Sequence, residues 1–306
     1  MPPVRVLVTP SGGAEGVVAM TQTVNGHGTA ITTAGSGSTN GDGRLGGGVY
    51  QGPQALADAR RALRFALPEP SSNFTQDDEW CVVVTPDGGW REFRFHDYDR
   101  IFEVPGLFEK IFYDVLGCDS PRFMVGLLAD ALADAGAAAS DVRVLDLGAG
   151  NGIMAEELAA VGVGHAVGVD ILPEARIAAG RDRPGLYADY LVTDLTALDT
   201  PASRRLAGHR LNALTVVAAL GFGDIPPEAF RAAYDHVAEG GWVVLTIKDA
   251  FLAADDTSGF ARMIADGMAS GALEVVRRER FRHRLATDAS PLVYEGIVAR
   301  KRGPLA

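Results

Sequence analysis

The sequence predicts an α/β fold with a doubly wound, mostly parallel sheet, a C-terminal antiparallel hairpin and an N-terminal α+β cap. From residue 142 onward, β-prone runs alternate with helical stretches, which is the pattern of parallel strands joined by crossover helices. These runs lie near Val142, Ala166, Tyr190, Asn212 and Trp242. The last two runs, 273–284 and 292–301, are separated by the short stretch ATDASP. That stretch cannot hold a crossover helix, so we expect an antiparallel hairpin at the sheet edge.

Composition narrows the class of protein. The 306 residues are 47% hydrophobic and 22% charged, in the range of ordinary globular proteins. A net charge of -11 argues against a nucleic-acid partner, because phosphate binding needs a cationic surface. The start, MPPVRVLVTPSGG, lacks the apolar core of a signal peptide, and no run is long enough to span a membrane. We therefore expect a cytoplasmic protein with no membrane partner. Oligomeric state is left open.

The two cysteines, Cys81 and Cys118, are too few for a disulfide framework. Neither belongs to a CxxC or Cys/His metal-binding spacing. We interpret both as structural thiols and predict no metal site.

Residues 1–50 are rich in Gly, Ser and Thr and end in GSGSTNGDGRLGGG. Such a composition buries little apolar surface, so this part is predicted to be a flexible or weakly structured segment. Two β-prone runs, 4–8 and 17–24, are candidates for short strands within it.

Residues 51–139 are predicted to form a cap or lid region. A helical pattern over 55–66 is stopped by Pro68, and two β-prone runs, 80–85 and 90–95, form a hairpin across the turn PDGG. Two helices follow, over 105–116 and 121–135, the second with Ser120 as its N-cap. Residues 140–306 then form the main domain. The cap helices precede its first strand and would lie over the mouth of its site.

The stretch 144–158, VLDLGAGNGIMAEEL, is the centre of that domain. A buried strand runs into Gly148, Gly150 and Gly152, and helical character resumes at Ile153. Glycines at such a bend allow positive φ and close approach of a ligand, and the first helical turn offers unpaired N–H groups. Asp146 places a carboxylate beside this turn, which suits a cationic ligand better than a pyrophosphate.

The glycine spacing of the turn and two further acidic residues limit which cofactor the site can bind. A dinucleotide fold prefers GxGxxG, whereas this chain has GxGxG followed by Ile153. The second strand ends in Asp170, where a carboxylate would meet ribose hydroxyls in either cofactor class. The third strand ends at Asp194, which could accept a hydrogen bond from an adenine amino group. Together with Asp146, these acids fit an adenosyl cofactor without phosphates.

The ordered series VLDLGAGNG, VGVD, VTDL, TVVAALGFGDIP and EGGWVVLTIKD resembles the motifs of class I S-adenosylmethionine-dependent methyltransferases. The resemblance covers about half of the chain, from residue 140 to residue 302. It implies S-adenosyl-L-methionine as cofactor. The residues it implies as cofactor contacts are Asp146, Gly148, Gly150, Asn151, Gly152, Asp170, Ile171, Asp194, Leu195 and Ala218.

The loop 218–224, which includes Gly221 and Phe222, resembles the small-molecule or peptide-directed branch, and the NPPY motif of nucleic-acid amino methylation is absent. We therefore expect a small molecule or peptide natural product as acceptor. Because an acidic protein attracts cations, N-methylation is slightly favoured over O-methylation.

Methyl transfer mainly needs alignment of a nucleophile, helped by a base where the acceptor carries a proton. His96, Asp97 and Tyr98 end a strand just before the lid helices and are the catalytic candidates. The alternative is structural, with His96 capping the strand and Tyr98 packing under the lid. Tyr98 or Tyr113 in contact with the cofactor is a third possibility.

Tyr113, Phe222 and Lys248 are the substrate-contact candidates; Phe222 could equally be core, and Lys248 could instead pair with Asp249 on a solvated loop. Arg282, His283 and Arg284 follow one another along an edge strand, so the side chain of His283 should point to the opposite side of the sheet from both arginines. We interpret this stretch as a charged outer face. Two other functions stay open. One is an NAD-dependent oxidoreductase, and the other is a non-catalytic cofactor-binding or scaffold protein.

Overall fold

The structure is a computed structural model that describes residues 4–6, 20–22, 53–68, 76–84, 88–220, 224–252 and 257–305. Two sheets organise these residues, one of five strands in the N-terminal part and one of seven strands in the C-terminal part. No helix within the described ranges has the length and apolar character needed to cross a membrane.

The N-terminal sheet is built from antiparallel pairs. Its strands are β1 (Val4–Val6), β2 (Met20–Gln22), β3 (Phe65–Pro68), β4 (Trp80–Val84) and β5 (Trp90–Arg94), in the spatial order β2-β1-β3-β4-β5. The predicted hairpin is confirmed, since β4 and β5 pair antiparallel with Trp80 opposite Arg94. β1 and β2 fall within the two short strands predicted in residues 1–50. The rest of that segment lies outside the described residues.

The cap helices differ in detail from prediction. They are α1 (Pro53–Ala62), α2 (Tyr98–Glu103), α3 (Leu107–Glu109), which continues as a π-helical segment (Lys110–Val115), and α4 (Ser120–Asp134). The helix predicted over 55–66 is too long, because Phe65 pairs opposite Val83 and packs its ring into the cap core. The helix predicted over 105–116 begins later. Gly106 precedes it with a φ of 77°, and most of its length is π-helical.

The N-cap predicted at Ser120 is wrong. Asp119 occupies the N-cap position, and Ser120 is the first residue of α4. The Ser120 side chain is fully buried, and its Oγ lies 2.7 Å from Nδ1 of His283. The hydroxyl therefore connects α4 to the C-terminal hairpin instead of closing the helix end.

The C-terminal sheet confirms the predicted fold class. Its strands are β6 (Arg143–Leu147), β7 (His165–Asp170), β8 (Asp189–Val192), β9 (Ala213–Val216), β10 (Trp242–Lys248), β11 (Leu273–Leu285) and β12 (Pro291–Lys301). The spatial order is β11-β12-β10-β9-β6-β7-β8. β6 to β10 pair in parallel, and β12 pairs antiparallel with both β10 and β11. The predicted hairpin forms the sheet edge.

Helices cover both faces of this sheet. They are α5 (Ile153–Ala160), α6 (Pro173–Asp182), α7 (Thr200–Gly208), α8 (Pro227–Asp235) and α9 (Phe260–Ala269). One core packs α7, α8 and α9 on one face, and a second packs α4 and α5 on the other. The division into 1–50, 51–139 and 140–306 stays a prediction. Helix α4 lies within the predicted cap range, yet its apolar side chains belong to the second core.

The strand order also determines where a ligand can bind. The chain passes from β6 to β7 on one side, and β9 lies on the other side of β6. In an open α/β sheet, the crevice outside the carboxyl ends of the strands at such a reversal is where ligands bind. The glycine turn follows β6 directly, so it lies at this crevice.

Candidate functional site

The glycine turn has the backbone conformation that the sequence predicts. Gly148 has a φ of 72° and Gly150 a φ of 51°, in the left-handed region that side chains disfavour. The N–H groups of Gly148 and Ala149 both donate to the carbonyl of Val169, at 2.9 and 3.1 Å. The hydroxyl of Tyr190 donates to the carbonyl of Gly150 at 2.8 Å. The turn is thus held in place by hydrogen bonds to β7 and β8.

Asp170 lies at the end of β7, beside the turn. Its Oδ2 accepts from the N–H of Gly150 at 2.9 Å, and its Oδ1 accepts from the N–H of Leu172 at 3.0 Å. Burial raises the pKa of this carboxyl, while the backbone donors oppose the shift. The next side chain, Ile171, is 60% exposed although it is a large apolar residue, and both residues line the cavity described below. This edge therefore offers an oriented carboxylate and an open apolar surface.

Asp194 and Ala218 occupy the ends of the neighbouring strands. Asp194 Oδ1 accepts from Thr196, at 2.8 Å from N and 2.7 Å from Oγ1, and these hydrogen bonds lower its pKa. Leu195 beside it is buried. Ala218 has a φ of 56°, and its N–H donates to Thr246 Oγ1 at 2.7 Å. A non-glycine residue in this conformation is a strained position of the kind found at ligand sites.

Asp146 lies behind the turn and does not line the cavity. It is 2% exposed, and it accepts hydrogen bonds from Tyr187 Oη at 2.5 Å and Thr215 Oγ1 at 2.7 Å. Burial raises its pKa to about 6, with both hydroxyl donors acting in the opposite direction. Gly152 is likewise absent from the lining, whereas Asn151 is part of it. Asp146 therefore supports the turn from below.

A cavity of about 370 Å³ separates the carboxyl edge of the C-terminal sheet from the cap. This volume is in the range of small-molecule sites. On the side of the C-terminal sheet, its lining includes Gly148, Gly150, Asn151, Asp170, Ile171, Asp194, Leu195 and Ala218. Its cap-side wall is aromatic: the ring centroids of Phe102 and Phe108 are 5.2 Å apart, and those of Phe108 and Phe112 are 4.8 Å apart. The predicted substrate contact Tyr113 also belongs to this wall.

The structure brings two of the three catalytic candidates into the cavity. His96 and Tyr98 line it, and their rings meet edge to face at 5.9 Å. His96 Nδ1 lies 3.5 Å from Asp224 Oδ2, so a carboxylate from the loop after β9 faces a ring from the cap. Burial raises the pKa of Tyr98, which keeps its hydroxyl protonated. Asp97 is outside the lining, at the N-cap position of α2, and pairs with Arg100 at 3.0 Å.

The predicted substrate contact Lys248 does not line the cavity. Its Nζ donates to Gln76 Oε1 at 3.1 Å. Gln76 does line the cavity, and its Nε2 donates to Tyr294 Oη at 3.1 Å. Lys248 thus orients a lining residue instead of reaching the cavity itself. Phe222 lies outside the described residues.

His283 and Arg284 of the C-terminal hairpin line the cavity, contrary to the charged outer face expected for them, whereas Arg282 is exposed as expected. His283 is 7% exposed and Arg284 is 4% exposed, although they are adjacent. The strand register shifts between Arg282 and Arg284, and such an irregularity breaks the alternation of facing on which the expectation rested. Arg284 pairs with the buried Glu79 at 2.5 Å. Alternation of polar residues gives no signal for a bulge, so the sequence pattern missed this wall.

His283 makes the folded protein sensitive to acid. Burial, together with the positive charge of Arg284, lowers its pKa from 6.5 to about 3. Between these two pH values, His283 is protonated in the unfolded chain but not in the folded protein. The free energy of unfolding therefore has its full value above pH 6.5 and decreases as the pH falls. When the pH falls from 7.5 to 5, we expect the free energy of unfolding to decrease by about 2 kcal/mol less in the His283→Gln variant than in the natural protein. Urea unfolding at both pH values measures this, and identical losses would contradict it.

Comparison with solved structures finds methyltransferases of low similarity. The N-methyltransferase NodS from Bradyrhizobium japonicum, in complex with S-adenosyl-L-homocysteine, is 17% identical with a TM-score of 0.45, covering 68% of this chain and 98% of its own. SAM-bound CalS10, an amino pentose methyltransferase from Micromonospora echinaspora, is 26% identical with a TM-score of 0.31, covering 41% of this chain and 50% of its own.

A putative RNA methyltransferase from Pyrococcus horikoshii is 14% identical with a TM-score of 0.40, covering 60% of this chain and 83% of its own. Among curated proteins, no sequence matches this chain. The sequence profile of the family described as "Methyltransferase domain" matches residues 121–286. Because that match spans more than half of the 306 residues, the protein belongs to this methyltransferase family.

Proposed function

We propose that this protein transfers the methyl group of S-adenosylmethionine to an amine nitrogen of a small molecule or peptide natural product. The observation that carries the proposal is one continuous cavity, which runs from the glycine turn after β6 to the His96–Asp224 pair under the cap. The nicotinamide alternative is weaker, because the turn has the spacing GxGxG followed by Ile153 instead of the GxGxxG of dinucleotide folds.

The residues at the sheet edge fit such a cofactor. A Cβ on Gly150 would come within 3.3 Å of Phe102 Cζ, so a side chain here would narrow the space between the turn and the cap. Asp170 would accept from the ribose hydroxyls, Asp194 and Leu195 would border the adenine, and Ile171 would cover it with apolar surface. When bound, the cofactor supplies a methyl group already activated on a sulfonium.

The charges at the acceptor end favour a cation. Asp99 and Asp224 line this end, while the lining cation Arg284 is compensated by Glu79. Among the described residues, neither Asp99 nor Asp224 pairs with a lysine or an arginine, so both carboxylates attract an ammonium group, and the aromatic wall adds cation–π attraction. These features support nitrogen as the acceptor atom.

An ammonium must lose a proton before nitrogen can accept a methyl group. The carboxylate of Asp224 faces Nδ1 of His96 and favours the tautomer protonated there, in which Nε2 carries the basic lone pair. His96 would take the proton while Tyr98 and the neighbouring rings exclude water and hold the amine in line.

Isothermal titration with S-adenosylmethionine, S-adenosylhomocysteine and NAD tests the cofactor, and binding of NAD alone would overturn the proposal. Mass spectrometry of a cell extract incubated with protein and methyl-labelled cofactor then identifies the acceptor without a prior guess. Label on hydroxyl oxygen alone would replace the nitrogen assignment. Cofactor binding with no label transferred across a broad extract panel would favour the scaffold alternative.

A further inference from the structure

A buried polar network joins the cap to the glycine turn. Glu109, the last residue of α3, has a side chain only 2% exposed. Its Oε1 accepts from Asn151 Nδ2 at 2.7 Å and from Arg183 Nη1 at 2.8 Å. Arg183 also donates from Nε to Glu156 at 2.6 Å. Glu109 is thus the cap residue through which this network reaches the turn.

Two carboxylates determine how the amide of Asn151 is turned. Its Nδ2 donates to Glu109 Oε1 at 2.7 Å and to Asp182 Oδ2 at 3.3 Å. If the amide oxygen of Asn151 faced Glu109 and Asp182, it would meet two acceptors and no donor, so the amide nitrogen must face them. Oδ1 then points away from both, and no donor among the described residues reaches it. Asn151 is also one of the residues that line the cavity, so its amide lies between the network and a ligand bound there.

One carboxylate oxygen of the network is left without a partner among the described residues. Its carboxylates are Glu109, Glu156 and Asp182, and its guanidinium groups are Arg181 and Arg183. Within the part of the chain that the structure describes, Glu109 Oε2 is buried without a hydrogen-bond partner. The π-helical segment begins at the very next residue, and such segments occur frequently at functional sites. A positive charge supplied by a ligand nearby would stabilise this buried carboxylate.

We propose that Glu109 is a positioning residue for the α-ammonium group of the cofactor, which donates a hydrogen bond to Oδ1 of Asn151. This inference rests on the proposed function, since it takes S-adenosylmethionine as the ligand. Glu109 acts through Asn151 and through its charge. The cap segment that carries Glu109 is therefore part of the cofactor site, and cofactor binding and cap packing stabilise each other.

Three ligands separate this role from a structural one. S-adenosylhomocysteine carries the ammonium, its deamino analogue lacks only that group, and 5′-methylthioadenosine lacks the whole amino-acid part. The Glu109→Gln variant keeps an oxygen for Asn151 and Arg183 but removes the charge. We expect its affinity for S-adenosylhomocysteine to fall about 10-fold, with the affinities for the other two ligands changed less than about twofold, as measured by isothermal titration. Asn151→Ala should give the same ligand pattern.

Glu156→Gln is the matched control. Glu156 pairs with the same guanidinium, but its side chain is 58% exposed and it makes no contact with Asn151. We expect this variant to bind all three ligands like the natural protein. If Glu109→Gln lowered the affinity for all three ligands equally, or lowered none of these affinities, the inference would be overturned while the proposed function would stand. If the natural protein bound neither S-adenosylhomocysteine nor 5′-methylthioadenosine, the proposed function and the inference would both be overturned.

Discussion

Replacement of Gly148 by alanine is expected to weaken binding of S-adenosylhomocysteine by about 100-fold or more. Gly148 has a φ of 72°, where an alanine is strained by about 1 kcal/mol. Its Cβ would also come within 2.9 Å of the Cβ of Ala219 and 3.1 Å of Cδ1 of Ile225. Both neighbours line the cavity, so the turn or the wall must move. A loss of about 2.8 kcal/mol of contacts between the turn and the cofactor corresponds to about 100-fold in affinity, and isothermal titration measures the loss.

Gly136 provides the matched control. Its φ is 63°, yet a Cβ there would meet nothing within 4 Å, and it follows α4 away from the cavity. Gly136→Ala should therefore lose about 1 kcal/mol of stability from backbone strain while keeping its cofactor affinity. If both variants lost stability alike and both bound the cofactor normally, the turn would have no role in binding.

Replacement of His96 by asparagine is expected to lower kcat by about 100-fold or more while leaving the affinity for S-adenosylhomocysteine nearly unchanged. A positioned base contributes about 10²–10⁴-fold to proton transfer. The deficit should shrink as the pH rises, because more of the acceptor amine is then already deprotonated. Steady-state rates of methyl transfer across a pH series, with the acceptor identified by mass spectrometry, measure both effects.

Two variants define how His96 works. Asp224→Asn removes the carboxylate 3.5 Å from the ring and should lower kcat by about 10-fold through loss of orientation. Asp97→Asn is the adjacent control, since Asp97 pairs with Arg100 and lies outside the cavity lining. It should retain full activity. An unchanged kcat in His96→Asn would show instead that alignment alone carries the reaction.

The parallel sheet and the glycine turn are predictable because local chemistry determines them. Buried strands alternate with helices over 142–248, and Gly148 and Gly150 have the positive φ that their spacing predicts. Asp170 lies at the carboxyl edge because it ends a parallel strand. Each of these features depends on a few consecutive residues.

The acceptor half of the site was predictable only in part. His96 and Tyr98 were recognisable as polar residues at a strand end, and Tyr113 as part of the lid. The partner of His96, Asp224, comes from a loop 128 residues further along the chain, and no local pattern joins them. Asp97 is adjacent to both cavity residues yet turns to Arg100, because it occupies the N-cap position of α2.

By itself, the sequence determined the doubly wound fold, the turn after the first parallel strand and the placement of Asp170 and Asp194 at strand ends, since each follows from short-range pattern and strand direction. Only the tertiary structure decided that Glu109 reaches Asn151, that Lys248 lies behind Gln76, and that the hairpin closes the cavity. The physical reason is that these contacts join segments far apart in the chain. A register shift in β11, which alternation cannot reveal, turns His283 and Arg284 inward together.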